Sequence, residues 1–346
     1  MTTGKKSRIL CIGGSLNQTM IVHKIAACMP EAECWFTPFF AEGLEWYLQK
    51  FGLLDHTIMG GAHRRATMEY LTDHHLPVDE GGQNGFYDLV ITCTDLIVQP
   101  SLRHSRIVLV QEGITEEEGL IYPLVQKKIL PRVFANTAAT GLSDVYEKFC
   151  VASPGYRSLF IRKGVKPEKI VVTGIPNFDH ADAYRKNNFP YRQYVLVATS
   201  SIRETFGQDD RMSFLQQTRQ IVGNLPVIFK LHPNEDQARA EREIRQVFPG
   251  SLIFHEGNLH EMIANCEIFV AQNTSAVYTA AALRKKTYSY ISSKKIKRLM
   301  PIQNGGTSAQ HIAEVCRHVL NTPPHNDRLP VIMQRRSLLW NWLAGS

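Results

Sequence analysis

Short, continuous apolar runs recur along this chain, and most end in Gly, Ser, Thr or Pro before a stretch with helical spacing. The first series covers residues 8–12, 87–92, 106–111, 149–153 and 169–173, with a further short run at 133–135. The second covers 194–198, 226–230, 251–254, 267–270 and 287–291. Helical patterns fall at 20–28 and 154–163 in the first series. In the second they fall at 210–223, 235–247, 258–265, 275–283 and 310–320, with a terminal pattern at 329–343. Strands apolar along their whole length are buried on both faces, and helices between such strands imply parallel sheets. The spacing predicts an α/β chain with two Rossmann-like doubly wound domains facing a central cleft. Residues 177–191 break the alternation with polar residues and read as the connection. The expected domains are 1–180 and 190–325, followed by a C-terminal helix at 326–346 that packs back on the first domain.

At 346 residues the chain is long enough for two domains and a sizeable core. It is 44% hydrophobic and 21% charged, which excludes disordered and collagen-like classes. No apolar run approaches the ~20 residues of a membrane span. The first residues read as a strand rather than a signal peptide. The seven cysteines are scattered and none forms CxxC, so free thiols in a reducing cytoplasm are expected. A net charge of +7 suits an anionic partner. There is no sustained basic stripe with interleaved aromatics, so no nucleic-acid partner is expected.

In open parallel sheets, ligands sit beyond the carboxyl ends of the strands. The polar residues that follow strands are therefore the candidates. Gly13, Gly14 and Ser15 follow the first run and precede a helix, where they make either a tight turn or an anion-binding corner. They form neither GxGxxG nor a P-loop. Gln111, Glu112 and Gly113 end another run. Glu112 is either a general base for an acceptor hydroxyl or a salt-bridged loop residue, and Glu116–Glu118 read as a solvated acidic turn. Thr199, Ser200 and Ser201 end the first run of the second half. Lys230, His232 and Pro233 form Lys-x-His-Pro, which leaves an imidazole at a strand's carboxyl edge. There it can donate to a phosphate oxygen, or it is a histidine in a solvated loop. Asn273, Thr274 and Ser275 precede an Ala-rich helix that Thr274 or Ser275 can cap, and the same groups can bind phosphate. The basic clusters 284–286 and 294–298 are either solvated charge or a contact for an anionic acceptor or lipid headgroups. The basic, aromatic stretch 335–343 can touch a membrane, although packing on the first domain is the favoured reading.

These residues together resemble the GT-B glycosyltransferase superfamily over roughly residues 7–320. The resemblance rests on the Gly113 loop, Val172-Thr-Gly-Ile-Pro-Asn177, Lys-x-His-Pro and Asn-Thr-Ser before the Ala-rich helix. Within the superfamily the chain is most similar to bacterial sialyltransferases and Kdo transferases, and it is also similar to CDP-glycerol phosphotransferases. The latter have His-Gly where this chain has Glu112-Gly113. The resemblance implies Glu112 as base, His232 on the donor phosphate, and Thr274 and Ser275 as phosphate or carboxylate binders. Gln111 departs from the sialyltransferase pattern, which often has a second acid there. Thr279 stands where many relatives carry a ribose-binding Glu, which leaves the nucleobase open.

The resulting expectation is an inverting, metal-independent transferase. It would move a sugar from a nucleotide-activated donor, with cytidine favoured, to a glycan or lipid-linked acceptor. Donor residues would be Thr199, Ser200, Ser201, Lys230, Pro233, Asn273, Thr274 and Ser275 in the second domain. Acceptor-side residues would be Gly13, Gly14, Ser15, Gln111 and Gly113 in the first. Glu112 and His232 would be catalytic, with no cofactor and no metal. The expected location is the cytoplasm, with peripheral contact at the inner face of the membrane. The alternatives are a UDP-N-acetylglucosamine 2-epimerase, a CDP-polyol phosphotransferase, and a nucleotide- or sugar-binding protein without catalysis.

Overall fold

The computed structural model describes residues 6–40, 42, 61–102, 105–115, 118–205 and 209–323. The expected terminal helix at 326–346 lies outside them. The chain divides into two compact units. The first holds the described residues up to Val151, then Arg157–Thr173, then those from Ala309 onward; the second holds Ala152–Tyr156 and Gly174–Ser308.

The first unit begins with β1 (Arg8–Gly13), α1 (Leu16–Ala27) and β2 (Glu33–Pro38). Next come α2 (Gly61–Asp73), β3 (Leu89–Thr92), β4 (Arg106–Val110) and the short α3 (Tyr122–Gln126). After β5 (Lys148–Val151) the chain enters α4 (Pro154–Lys163), and β6 (Ile170–Val172) follows. All six strands are parallel, in the order β2-β1-β3-β4-β5-β6. β3 is buried at every position and β4 at all but its first, as parallel strands covered on both faces require. Two local expectations change. Residues 133–135 are not a strand: Arg132–Ala139 forms 3₁₀ turns interrupted at Asn136, whose φ is +45°. The apolar Val133 and Phe134 there face solvent instead of joining the sheet. β2 was not anticipated. As an edge strand it buries only its last three residues, so it lacks the continuous apolar run of the central strands.

The second unit contains β7 (Val195–Ala198), α5 (Arg211–Val222), β8 (Val227–Lys230), α6 (Gln237–Val247) and β9 (Leu252–Phe254). It continues with α7 (Leu259–Asn265), β10 (Ile268–Ala271), α8 (Ala276–Ala282), β11 (Lys286–Ser289) and α9 (Ser293–Leu299). Its five parallel strands run in the order β11-β10-β7-β8-β9. β7 and β10 are buried throughout, and the half-exposed β11 and β9 form the edges.

Residues 177–191, expected as the connection, belong to the second unit. The buried Asp179 carboxylate accepts the Ser308 N–H at 2.8 Å, and the Ala181 N–H donates to Gln303 at 3.0 Å. The polar residues that suggested a linker are thus hydrogen-bonding groups of a packed segment, and the chain passes between units at Thr173–Gly174 instead.

The last described helix, α10 (Ser308–Asn321), also sits differently from expectation. It was placed in the second domain, yet Ala309, Ile312, Ala313, Cys316 and Val319 enter the core of the first unit with Ile9, Cys11, Val108 and Cys150. Its apolar stripe recurs every three or four residues, the pattern that buries one helix face. The Arg106 guanidinium of β4 donates to the carbonyls of Val319 and Leu320 at 2.6 and 2.8 Å, satisfying groups that a helix end leaves free.

Candidate active site

In the first unit, the loops after β1 and β4 meet at the carboxyl edge of the sheet. Ser15 is the N-cap of α1: its hydroxyl accepts the Gln18 N–H at 3.2 Å and donates to Glu112 Oε1 at 2.9 Å. Asn17 Nδ2 donates to the same oxygen at 3.2 Å, and Gln18 Nε2 donates to Oε2 at 2.6 Å. Glu112 is thus half-buried and held by neutral donors of the first turn of α1. Among the described residues no cation forms an ion pair with Glu112. Burial first, and then this carboxylate, push the thiol of Cys93 well above its ordinary value.

Gln18 adds a feature that residue patterns did not reveal. Its Oε1 is buried and has no hydrogen-bond partner, while its Nε2 holds Glu112. An unpaired buried acceptor costs roughly 1–3 kcal/mol. The other residues of this corner shape it. A Cβ on Gly13 would lie 2.4 Å from the Thr19 hydroxyl, so Gly13 permits close packing of strand against helix. The Gly14 carbonyl accepts from Thr67 at 3.4 Å. The buried Gln111 folds back to donate to the Gly113 carbonyl at 2.7 Å, fixing the turn that presents Glu112.

In the second unit, β10, β7 and β8 are neighbours, so the loops after them lie side by side. The Asn234 N–H donates to His232 Nδ1 at 3.2 Å. A ring nitrogen that accepts carries no proton, so in the neutral imidazole the proton is on Nε2. Burial lowers the His232 pKa, and Lys230 lowers it further against the opposing Glu235 and Glu204 carboxylates. His232 is thus a neutral ring whose Nε2–H is the available donor.

Beneath it lies a buried polar network. The Thr199 hydroxyl donates to Glu235, and the His232 N–H meets both Thr199 Oγ1 at 3.1 Å and Glu235 Oε2 at 3.4 Å. Glu235 Oε1 lies 2.7 Å from Arg211 Nη2, which also reaches Asp209 Oδ2 at 3.1 Å and the Ser200 carbonyl at 3.1 Å. Asp209 accepts from Gln272, whose Oε1 takes the Ser200 hydroxyl at 2.6 Å. Arg203 clamps Glu243 with two bonds of 2.8 Å. The network fixes the backbone of residues 199–200 and 232–235. None of Asp209, Arg211, Glu235 and Gln272 had stood out in the sequence.

Around α8 the structure shows which side chain caps. Thr274 Oγ1 accepts the Ala276 N–H at 3.3 Å, whereas the Ser275 side chain makes no capping bond. Asn273 is exposed, and Ser201 is half-buried. Thr279 is buried and its hydroxyl lies 2.9 Å from His260 Nδ1, a ring on which Tyr184 stacks at 4.9 Å. Lys230 has protein partners of its own. Its ammonium donates to the carbonyls of Leu231 and His255 at 2.9 and 3.0 Å, tying β8 to β9 just beyond their paired residues. Pro233 is exposed and contributes the strand's end rather than a polar group. Among the described residues, no group of three or more His, Cys, Asp or Glu is arranged to hold a metal ion, and no helix is long and apolar enough to cross a membrane.

No known family profile and no curated protein matches the sequence. Solved structures do match. The chain is 10% identical to a UDP-GlcNAc 2-epimerase from Neisseria meningitidis bound to UDP-GlcNAc, covering 90% of this chain and 100% of that one with a TM-score of 0.56. It is 11% identical to S. aureus MnaA in a UDP co-structure, covering 91% and 88% with a TM-score of 0.53. It is 9% identical to a wall teichoic acid polymerase, TagF, in a variant soaked with CDPG, covering 91% and 88% with a TM-score of 0.50. At these identities the likeness is one of fold. The fold is α/β with two parallel-sheet Rossmann-like domains of the GT-B type.

Proposed function

We propose that the protein is a nucleotide-sugar enzyme of the GT-B type, and that it transfers the sugar to an acceptor hydroxyl with inversion. The observation that carries this reading is His232. Its Nδ1 is occupied by the Asn234 N–H, and burial disfavours the charged ring. The Nε2–H at the carboxyl end of β8 is therefore set to donate to a donor phosphate as negative charge grows on it. Thr274 and Ser275, after neighbouring β10, are the further phosphate-binding candidates. In the first unit Glu112 takes the acceptor proton. Its three neutral donors orient it, and no cation pairs with it among the described residues. Deprotonated by Glu112, the acceptor oxygen displaces the nucleotide at the anomeric carbon. Peripheral attachment to a membrane and a glycan or lipid-linked acceptor belong to this reading.

Thermal shifts with CMP, CDP, UDP and their sugars identify the donor, because a ligand that binds only the folded chain raises its stability. Cytidine nucleotides are the first to test, on the resemblance to cytidine-using enzymes. With the donor known, His232→Ala is expected to slow turnover by about 10²–10³. Glu112→Gln is expected to slow it by about 10²–10⁴ with donor affinity unchanged. A folded Glu112→Gln variant that transfers at the wild-type rate removes Glu112 from the mechanism. A second reading, 2-epimerisation, is favoured by the full-length likeness in fold to UDP-GlcNAc 2-epimerases. It is distinguished by turnover of UDP-GlcNAc with no acceptor present.

A further inference from the structure

The chain carries 39 Lys and Arg against 32 Asp and Glu, and the excess is local. From Ile268 to Ser308 there is no acidic residue, while seven Lys and Arg fall there, in the clusters 284–286 and 294–298. Without these seven the other 32 basic residues equal the 32 acidic ones, so the whole net charge of +7 sits on this stretch of the second unit. Counting Glu267, directly before it, still leaves an excess of six. The stretch runs from the end of α8 through the edge strand β11 to α9. α9 is anchored at both ends: Ser292 Oγ accepts the Lys295 N–H at 3.3 Å, and the Leu299 carbonyl accepts the Ser153 hydroxyl at 3.2 Å. It buries Ile296 and Leu299 and packs against α8. Its other face carries Lys294, Lys297 and Arg298, all exposed and spaced three and four residues from Lys294, which makes them neighbours on the helix surface.

Like charges at those spacings weaken a helix. Lys294, Lys297 and Arg298, and with them the exposed Arg284 and Lys286 beside β11, form no ion pair among the described residues. Lys285 is turned inward, its ammonium donating to the Cys266 carbonyl at 2.8 Å. Between the two clusters Tyr290, the residue after β11, is 55% exposed. We infer that the outer face of α9 and the β11 edge dock the second unit on an anionic lipid surface, with the cations on the headgroup phosphates. A cluster of four to eight basic residues on an amphipathic helix is the pattern such a surface attracts. A tyrosine, with an apolar ring and a polar tip, suits the headgroup level. Five of the seven cations are lysines, point charges that respond to a field of negative charge rather than to the forked geometry with which arginine reads bases. The inference gives the membrane contact of the proposed function a surface, and it does not depend on the transfer chemistry.

The full chain is sedimented with vesicles of phosphatidylcholine and with vesicles of phosphatidylcholine and phosphatidylglycerol in equal parts, with neither donor nor acceptor present. Binding to the anionic vesicles alone, weakened by salt, is expected. Lys294→Gln, Lys297→Gln and Arg298→Gln together are expected to weaken it by about a hundredfold, at roughly fivefold per charge. Glutamine matches lysine and arginine in helix propensity, and an unchanged melting temperature verifies folding. The pair Arg284→Asn and Lys286→Gln is a second variant away from the helix, expected to weaken binding by about twentyfold. Asn suits position 284, whose φ is +58°. A control triple, Lys6→Gln, Lys127→Gln and Arg242→Gln, removes the same charge from exposed positions outside the stretch. It should weaken binding less than about fivefold. Equal losses in the control and in the α9 triple overturn the inference. So does a wild type that ignores the anionic vesicles, or one that binds short duplex DNA at lower concentration than it binds them. A catalytically silent chain that binds vesicles leaves the inference intact, and an active chain that does not bind refutes it alone.

Discussion

Replacing Arg211 by Met tests whether the buried network holds the second unit's loops in place. Arg211 is 2% exposed and lies between two carboxylates, Asp209 at 3.1 Å and Glu235 at 2.7 Å, whose side chains are fully buried. Methionine keeps most of the volume and removes the charge. Asp209 would keep its bond from Gln272 and a distant Arg203 at 3.7 Å. Glu235 would keep only neutral donors, the Thr199 hydroxyl and the His232 N–H. Breaking a buried pair by removing one partner costs about 3–5 kcal/mol. The readout is amide hydrogen exchange of peptides covering β7 and β8, which reports opening of this unit whatever the first unit does. At tenfold per ~1.4 kcal/mol, exchange should accelerate by about a hundredfold to a few thousandfold. The double variant Arg211→Met with Glu235→Gln should recover part of the loss, because it removes the stranded charge. Acceleration of Arg211→Met under about fivefold, or a double variant worse than the single one by the full cost of Glu235→Gln, would refute the assignment of a stabilising charge network.

The His232 ring gives a pH dependence. Its pKa is depressed below the ordinary value near 6.5, chiefly by burial, so its contribution to stability is complete above that value and is lost as pH falls through the depressed one. The melting temperature should therefore decline below about pH 6.5 more steeply in wild type than in His232→Gln. Parallel profiles would assign the decline to other groups, such as His23, which burial and His74 also depress. Gly155→Ala sets two effects against each other. Helix propensity alone favours Ala by about 1 kcal/mol, but its Cβ would lie 1.7 Å from the Arg298 carbonyl oxygen, a backbone atom. A loss of about 1–3 kcal/mol or more is expected, and a raised melting temperature would show that the contact yields. Gln18→Leu removes the orphaned buried acceptor and the donor to Glu112 together. Its turnover should fall with donor affinity unchanged, and an equal fall in affinity would assign Gln18 a purely structural part.

The strands most readable from the sequence are those whose environment is uniform. β3, β4, β7 and β10 are buried on both faces, so their apolar runs are continuous and their polar ends mark the ligand edge. β2 escaped notice because an edge strand is solvated along half its length, and the apolar run in Glu33-Cys-Trp-Phe-Thr-Pro38 is only three residues long. The helix at 308–321 shows the other limit. Its amphipathic spacing reveals that one face is buried, but spacing holds no information about which core receives that face. Only the packing with Ile9, Cys11 and Val110 assigns it to the first unit.

The same asymmetry governs the candidate site. Glu112 and His232 could be singled out because each follows a strand, a position that a one-dimensional pattern encodes. Their partners could not. Ser15 reads as a helix cap, and it is one, but its hydroxyl also serves a carboxylate 97 residues away. Asp209 and Arg211 sit among polar residues and read as solvated charges. Yet they are buried, because each meets an opposite charge that the fold brings near: Arg211 pairs with Asp209 two residues before it and with Glu235 on the far side of β8. Lys230 shows what spacing leaves out. Its place in Lys-x-His-Pro suggests a donor-binding residue, and the structure adds that a side chain at the last residue of β8 has carbonyls beyond the β8–β9 ladder within its reach. Those carbonyls compete with any ligand for the ammonium. Lys230, inside the strand, is held by carbonyls at the sheet's end, whereas His232, two residues on, is held through the Asn234 N–H and keeps its Nε2 for other partners.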